Sequence, residues 1–386
     1  MNLSVKNGRT LLILFTIFVF IALVNLLAIT LKGDRSKSFL EPNKVPEISL
    51  ILNSNNQDFK QKEARALAER LGPDKALELL NNSGIPFTGE GHIIIHEIGY
   101  VAYHKWGKEA LLHCKDYFLY ACYHGAIIEA AASSGGGISY IKEMTDRCRD
   151  AWGKFVQCVH AVGHGLMALW DYDLPKSLSD CDRLFERETQ YKDALIHCHD
   201  GVFMENIFGI HGLGVRTASQ RKWLSETDIY FPCDAVSEKY QQGCWFNQAS
   251  RIYEMKGENI KATAAACEGL ESAVYKGWCF NNLARQISPL GKNNIDKVFA
   301  LCNEVGDSWA ANCEIVSATS YFSQGGRDLA IQICYRLAGA YQDECFKQII
   351  PMIGVDTVIS KSEKEAMCKV MGKFTNNCLV DIKSLQ

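Results

Sequence analysis

The sequence predicts an all-α solenoid of about eight disulfide-stapled helical hairpins with an amino-terminal cap, preceded by one transmembrane helix. Three observations carry this expectation: a regular cysteine rhythm, helical periodicity between the cysteines, and one long apolar run near the amino terminus. The sixteen cysteines fall into eight consecutive pairs, Cys114 with Cys122, Cys148 with Cys158, Cys181 with Cys198, Cys233 with Cys244, Cys267 with Cys279, Cys302 with Cys313, Cys334 with Cys345, and Cys368 with Cys378. The second members recur every 32 to 46 residues, the period at which two-helix repeats stack. Regular, even cysteine usage also points to an oxidising compartment, because cytosolic thiols are kept reduced.

Residues 1–10 read as a cytoplasmic tail and residues 11–31, LLILFTIFVFIALVNLLAITL, as a signal anchor. At 1.5 Å per residue this run spans about the 30 Å of a bilayer core. Lys6 and Arg9 before it and Lys32, Arg35 and Lys37 after it leave little charge bias. The cysteines therefore choose the orientation, with the amino terminus in the cytoplasm and the remainder outside. A cleaved signal peptide is the alternative, but its apolar region is usually shorter and ends at small residues, which Ala28-Ile29-Thr30 matches poorly.

Residues 32–57, with Pro42 and Pro46 and no sustained period, are expected to form a linker. Residues 58–106 carry three helical patterns without a cysteine pair and read as the cap, since a terminal repeat must differ from the interior ones. From there the recipe is a helix ending near the first cysteine, a turn, and a second helix with the other cysteine in its first turns. The segment from Asp328 to Cys334, the break at Gly339, and the helix with Tyr341, Cys345 and Ile349 illustrate it. An aromatic residue four before the second cysteine, as at Phe118, Tyr240, Tyr275, Trp309, Tyr341 and Phe374, shares its helical face. Folding each hairpin brings its pair within bonding reach, so local disulfides are expected. Zinc structural sites use cysteines two to four apart, and no C-x-x-C occurs.

The hairpin length and the one-bridge-per-hairpin pattern over residues 73–380 resemble the disulfide-stapled Sel1-like and tetratricopeptide-type repeat proteins in architecture. The resemblance implies stacked hairpins and no particular activity, since the Trp, Leu-Gly and Tyr signature of tetratricopeptides is absent.

All ten histidines lie between residues 92 and 211, and the 175 residues that follow have none. The repeats thus divide into a histidine-rich set at 107–211 and a histidine-free set at 212–386. Aligned on the second cysteine, the position two residues later holds His124, His160 and Asp200, then Phe246, Asn281, Ile315, Lys347 and Val380. The cap segment IHEIGYVA aligns with VHAVGHGL, which adds His96 to the ladder. Equivalent positions of a solenoid line one surface. His160 with His164, and His92 with His96, are i, i+4 pairs that put two imidazoles on one helical face. Small residues run beside them at Gly99, Gly125, Gly163, Gly165 and Gly201, indicating close helix packing or backbone approach to a ligand.

Imidazoles with nearby carboxylates can hold zinc, iron or manganese. The candidate ligands are His96, His124, His160, His164, His199 and Asp200, with Glu129 and Glu205 as further ligands or general bases. Two other readings stand beside this one: a hydrogen-bonded polar core, and a metal-free acid–base pocket. His96-Glu97 is similar to one His-Glu pair of the HEAT-repeat di-iron hydroxylases, which implies dioxygen chemistry as an analogy only. HExxH is absent, so a zincin-type protease has no support. His104, His113 and His211 have less company and read as surface residues.

With 47% hydrophobic residues, 22% charged residues and a net charge of −3, the chain has a globular composition without a basic face, which excludes nucleic acid as an expected partner. The functional expectation is a membrane-anchored, extracytoplasmic repeat protein that binds a transition metal, as a hydrolase or oxygenase of unassigned substrate. The rival is a surface scaffold for a protein, peptide or glycan.

Overall fold

A computed structural model describes residues 45–85, 89–133, 137–150, 152–209, 222–356 and 358–384. The signal-anchor segment 11–31 lies outside these residues, as does His211. Among the described residues, no helix is long and apolar enough to cross a membrane. They hold helices and turns and no strand.

The helices before the first cysteine are α1 (Pro46–Asn53), α2 (Gln57–Leu71), α3 (Pro73–Asn81) and α4 (Gly89–Trp106). Next come α5 (Ala110–His113), α6 (Tyr117–Ser133), α7 (Ile138–Thr145), α8 (Trp152–Leu169), α9 (Leu174–Phe185) and α10 (Ala194–Phe208). The second half adds α11 (Glu238–Met255), α12 (Ile260–Glu268), α13 (Ala273–Leu290), α14 (Ile295–Asn303) and α15 (Asp307–Ser323). It ends with α16 (Arg327–Arg336), α17 (Gly339–Val355), α18 (Lys361–Lys369) and α19 (Thr375–Ser384).

Their limits follow from local chemistry. Asn56, Asp173, Asn259, Asn294 and Ser360 precede α2, α9, α12, α14 and α18, and each side chain accepts a backbone N–H of the first turn that would otherwise lack a partner. Pro73 opens α3, where its missing N–H costs nothing. One helix falls where the sequence predicts a tether: α1 begins at Pro46 and buries Ile48 and Ile51. The i, i+3 spacing of these two isoleucines gives even an eight-residue helix an apolar edge to bury, and Arg70 of α2 clasps Glu47 through two 2.7 Å hydrogen bonds.

The second helices of successive hairpins pack side by side in the order α4, α6, α8, α10, α11, α13, α15, α17, α19, and α2 packs on α4 at the amino end. All eight expected disulfides are present, with Cα–Cα separations of 5.4 to 6.5 Å, inside the normal range. No free cysteine occurs. The first member lies in an α-helix in the later hairpins, but Cys114 follows the four-residue α5, Cys148 closes a one-turn 3-10 helix after α7, and Cys233 sits in a turn. The bridge requires only that two Cα atoms meet, so the leading element varies in length while the second helices keep their register.

Where histidines are dense, the second helices touch through backbone. A Cβ placed on Gly125 of α6 would lie 2.0 Å from the His96 carbonyl oxygen of α4, and one on Gly99 would lie 2.2 Å from that of Cys122. The next pair repeats this geometry: a Cβ on Gly201 of α10 would lie 2.0 Å from the His160 oxygen, and one on Gly163 of α8 would lie 2.2 Å from that of Cys198. Between the pairs, a Cβ on Gly165 would come within 2.9 Å of the Ala131 side chain. Glycine at these positions lets helix axes approach more closely than any side chain would allow.

Candidate metal centre

These glycine contacts bring five imidazoles into one buried group. His92 and His96 stand one turn apart on α4, His124 on α6, and His160 with His164 on α8. Ring centroids are 4.6 Å apart for His92 and His96, 4.9 Å for His92 and His124, and 5.6 Å for His96 and His124. His124 in turn lies 5.4 Å from His160 and 6.0 Å from His164, which are 4.7 Å from each other. His96, His124, His160 and His164 are all at most 6% exposed, and His92 is half-buried.

His92, His96 and His124 each offer one ring nitrogen, and these three atoms lie within 4.8 Å of one another. Such a triangle can close on one ion. His92 is oriented for it: Nδ1 donates to the Phe118 carbonyl at 2.6 Å, so Nε2 carries the lone pair, and that lone pair faces Nδ1 of His124 at 3.0 Å. A backbone carbonyl that fixes the tautomer of a ligating imidazole is a common outer-sphere device. Here the carbonyl belongs to a strained turn, for Phe118, Leu119 and Tyr120 have φ of 51°, 56° and 62° before α6 becomes regular.

The carboxylates take different places. Asp200 accepts from Nδ1 of His160 at 3.0 Å and from the Asn247 amide at 2.7 Å. Glu205, fully buried, accepts from Nδ1 of His164 at 2.9 Å and from the Tyr172 hydroxyl at 2.8 Å. Burial and the Glu205 charge hold the Tyr172 phenol well above its ordinary range, so it stays a donor. Glu129 faces the exposed His104 at 2.9 Å and also accepts from Ser133. Glu97 turns to Arg65 at 2.7 Å and Gln61 at 3.3 Å, and burial pushes its carboxyl up against the opposing pull of Arg65. Adjacent residues of a helix point about 100° apart, so His96 and Glu97 serve different neighbours.

His199, next to Asp200 in sequence, is not brought into this group. Its Nε2 lies 3.0 Å from Asp182, and its ring packs edge-on against Tyr240. Burial pushes the His199 imidazole below its usual value despite Asp182. Burial also raises Asp182, but Lys239, Tyr240 and His199 all donate to it and leave the carboxyl below its usual value. His113 stacks on Trp106 at 3.7 Å.

The group therefore crosses the boundary the sequence suggested at residue 106, because α4 of the expected cap contributes two imidazoles. His92 is the member absent from the expected ligand set, although its i, i+4 spacing to His96 was the signal. Tyr172 and Asn247, which hold the carboxylates, carry no such signal, since each reaches the site from a loop or a later hairpin. No family model, curated protein or solved structure matches the chain.

Proposed function

We propose that the chain is a transition-metal protein in which His92, His96 and His124 hold one ion and leave a coordination position for water or substrate. The observation that carries this reading is the convergence of three imidazole nitrogens from two helices within 4.8 Å, with His92 already locked in a ligating tautomer. An all-imidazole set suits zinc or iron better than manganese, which prefers oxygen donors. When bound with an open position, such an ion polarises a carbonyl or phosphoryl oxygen or lowers the pKa of water towards 7, and on this basis we assign the class as a metal-dependent hydrolase or, with iron, an oxygenase.

The chain's own groups have defined tasks in this scheme. The Phe118 carbonyl orients His92, and the buried wall of α4 and α6 keeps competing water away. Glu205 positions His164 and does not serve as a base, because His164 and Tyr172 already occupy it. The partner-binding alternative draws on the last hairpins, where Tyr341, Val370 and Val380 are 58%, 61% and 67% exposed.

The test is elemental analysis of the full chain, purified without chelator. We expect stoichiometric metal in the wild type and loss of one equivalent in His92→Ala/His96→Ala with helicity retained. Wild-type metal content in that variant would exclude the three-histidine site.

A further inference from the structure

We propose that the centre is binuclear, with a second transition ion held by Nε2 of His160 and Nε2 of His164. This deepens the preceding reading and rests on it only for the first ion.

The argument begins with tautomers. His160 and His164 stand one turn apart on α8, and their Nε2 atoms face each other at 3.0 Å. Each ring is held at its other end, Nδ1 of His160 by Asp200 at 3.0 Å and Nδ1 of His164 by Glu205 at 2.9 Å. A carboxylate can only accept, so each Nδ1 is the donor and carries the proton. Both Nε2 atoms of the neutral rings are then lone pairs, aimed at one another at contact distance. Two lone pairs repel unless a positive species stands between them. That species is a proton shared by the two rings or a metal ion.

Charge and neighbourhood favour the ion. Asp200 and Glu205 bring two negative charges into a site where their side chains are 14% and 0% exposed. A divalent ion on the two imidazoles lies close to both carboxylates, whereas the buried guanidinium of Arg285 acts on Asp200 alone and a shared proton adds a single charge. Carboxylate-to-histidine-to-metal is the usual outer-sphere order, and here it occurs twice around one point. The ring of His124 stands between the two positions, with centroids 4.9 and 5.6 Å from His92 and His96 and 5.4 and 6.0 Å from His160 and His164.

The helices explain why there are two positions. CYHGAIIE (122–129) and CHDGVFME (198–205) are versions of one segment, as are the stretches around His96 and His160, and both pairs of helices meet through the same glycine contacts. In this correspondence Tyr100 matches His164 and Val156 matches His92. The first pair of helices thus adds a histidine one turn before the shared position, and the second pair adds one a turn after it. One scaffold, duplicated, presents two offset sets of imidazoles.

The experiment uses the full chain with its disulfides intact, stripped of metal and titrated with Co(II), with visible absorption and elemental analysis as readouts. Two equivalents are expected in the wild type, one in His160→Ala/His164→Ala, and one in His92→Ala/His96→Ala. A wild type that saturates at one equivalent, unchanged in His160→Ala/His164→Ala, would leave the first site standing and overturn the second, assigning the close pair to a shared proton. Two equivalents in the wild type with His92→Ala/His96→Ala unaffected would sink the three-histidine site instead. No bound cobalt in the wild type would remove both. The wild-type count needs no variant to fold, and His164→Gln gives a milder check, with an expected loss of at least tenfold in affinity for the second equivalent alone.

Discussion

Glu205 and Glu314 are buried carboxylates with different neighbours. Glu205 accepts from two donors, His164 and Tyr172. Glu314 on α15 is 7% exposed with only the more distant Arg336 to offset desolvation, and its carboxyl is pushed up to about 7. An acid whose folded value is raised contributes stability below its unfolded value near 4.5, and that contribution is lost as pH rises through about 7. Glu314→Gln should therefore match the wild type at pH 5 and exceed it at pH 8, by roughly 1–3 °C in thermal midpoint. Midpoints that run parallel from pH 5 to 8 would show that Glu314 is ionised without penalty. None of this is visible in the sequence, where Glu314 is one acidic residue among many.

The helix pairs α4 with α6 and α8 with α10 are held at contact by glycine, and this sets the distance between imidazoles. Gly125→Ala would drive a methyl group against the His96 carbonyl, because the added Cβ would fall only 2.0 Å from its oxygen. Overpacking of this kind costs about 1–3 kcal/mol where neighbours can shift, and backbone atoms shift least. The expected result is a lower thermal midpoint, near-native circular dichroism, and loss of the first metal equivalent as His96 and His124 move apart. Undiminished metal binding in Gly125→Ala would mean that the axes do not govern the site. The sequence announces these glycines, and their spacing beside histidine was a usable sign of close packing. It does not tell which carbonyl each one meets.

The chain as a whole is stapled once per hairpin, and each loop of about a dozen residues closed by a bridge contributes roughly 3 kcal/mol on the chain-entropy model. No free thiol is left. On that pattern we propose that the stapled repeats lie in an oxidising compartment, and the anchor expected at residues 11–31 is a separate proposal. In fractionated cells the full chain should appear in the membrane pellet, and a thiol-blocking reagent should add no mass until the protein is reduced. Recovery in the soluble fraction with a new amino terminus near Lys32 would identify a cleaved signal instead, and free thiols before reduction would contradict the disulfide frame.

Cysteine rhythm and helical period were enough to predict an all-helical chain and the eight bridges, because each bridge joins residues at most 17 positions apart; α1 in the expected linker and the varied elements before Cys114, Cys148 and Cys233 were not foreseen. The ladder of His96, His124, His160 and Asp200 also marked α4, α6, α8 and α10 as the place to look. What only the tertiary structure decided is which side chains meet across helices. His92 enters the centre, His199 leaves it for Asp182, Glu97 turns to Arg65, and Glu205 becomes the partner of His164. Those outcomes depend on how far adjacent helices approach and how they are rotated about their axes, and a turn of one residue, about 100°, redirects a side chain completely. Sequence spacing states which face a residue occupies on its own helix, and the packing of the neighbouring helix determines what that face encounters.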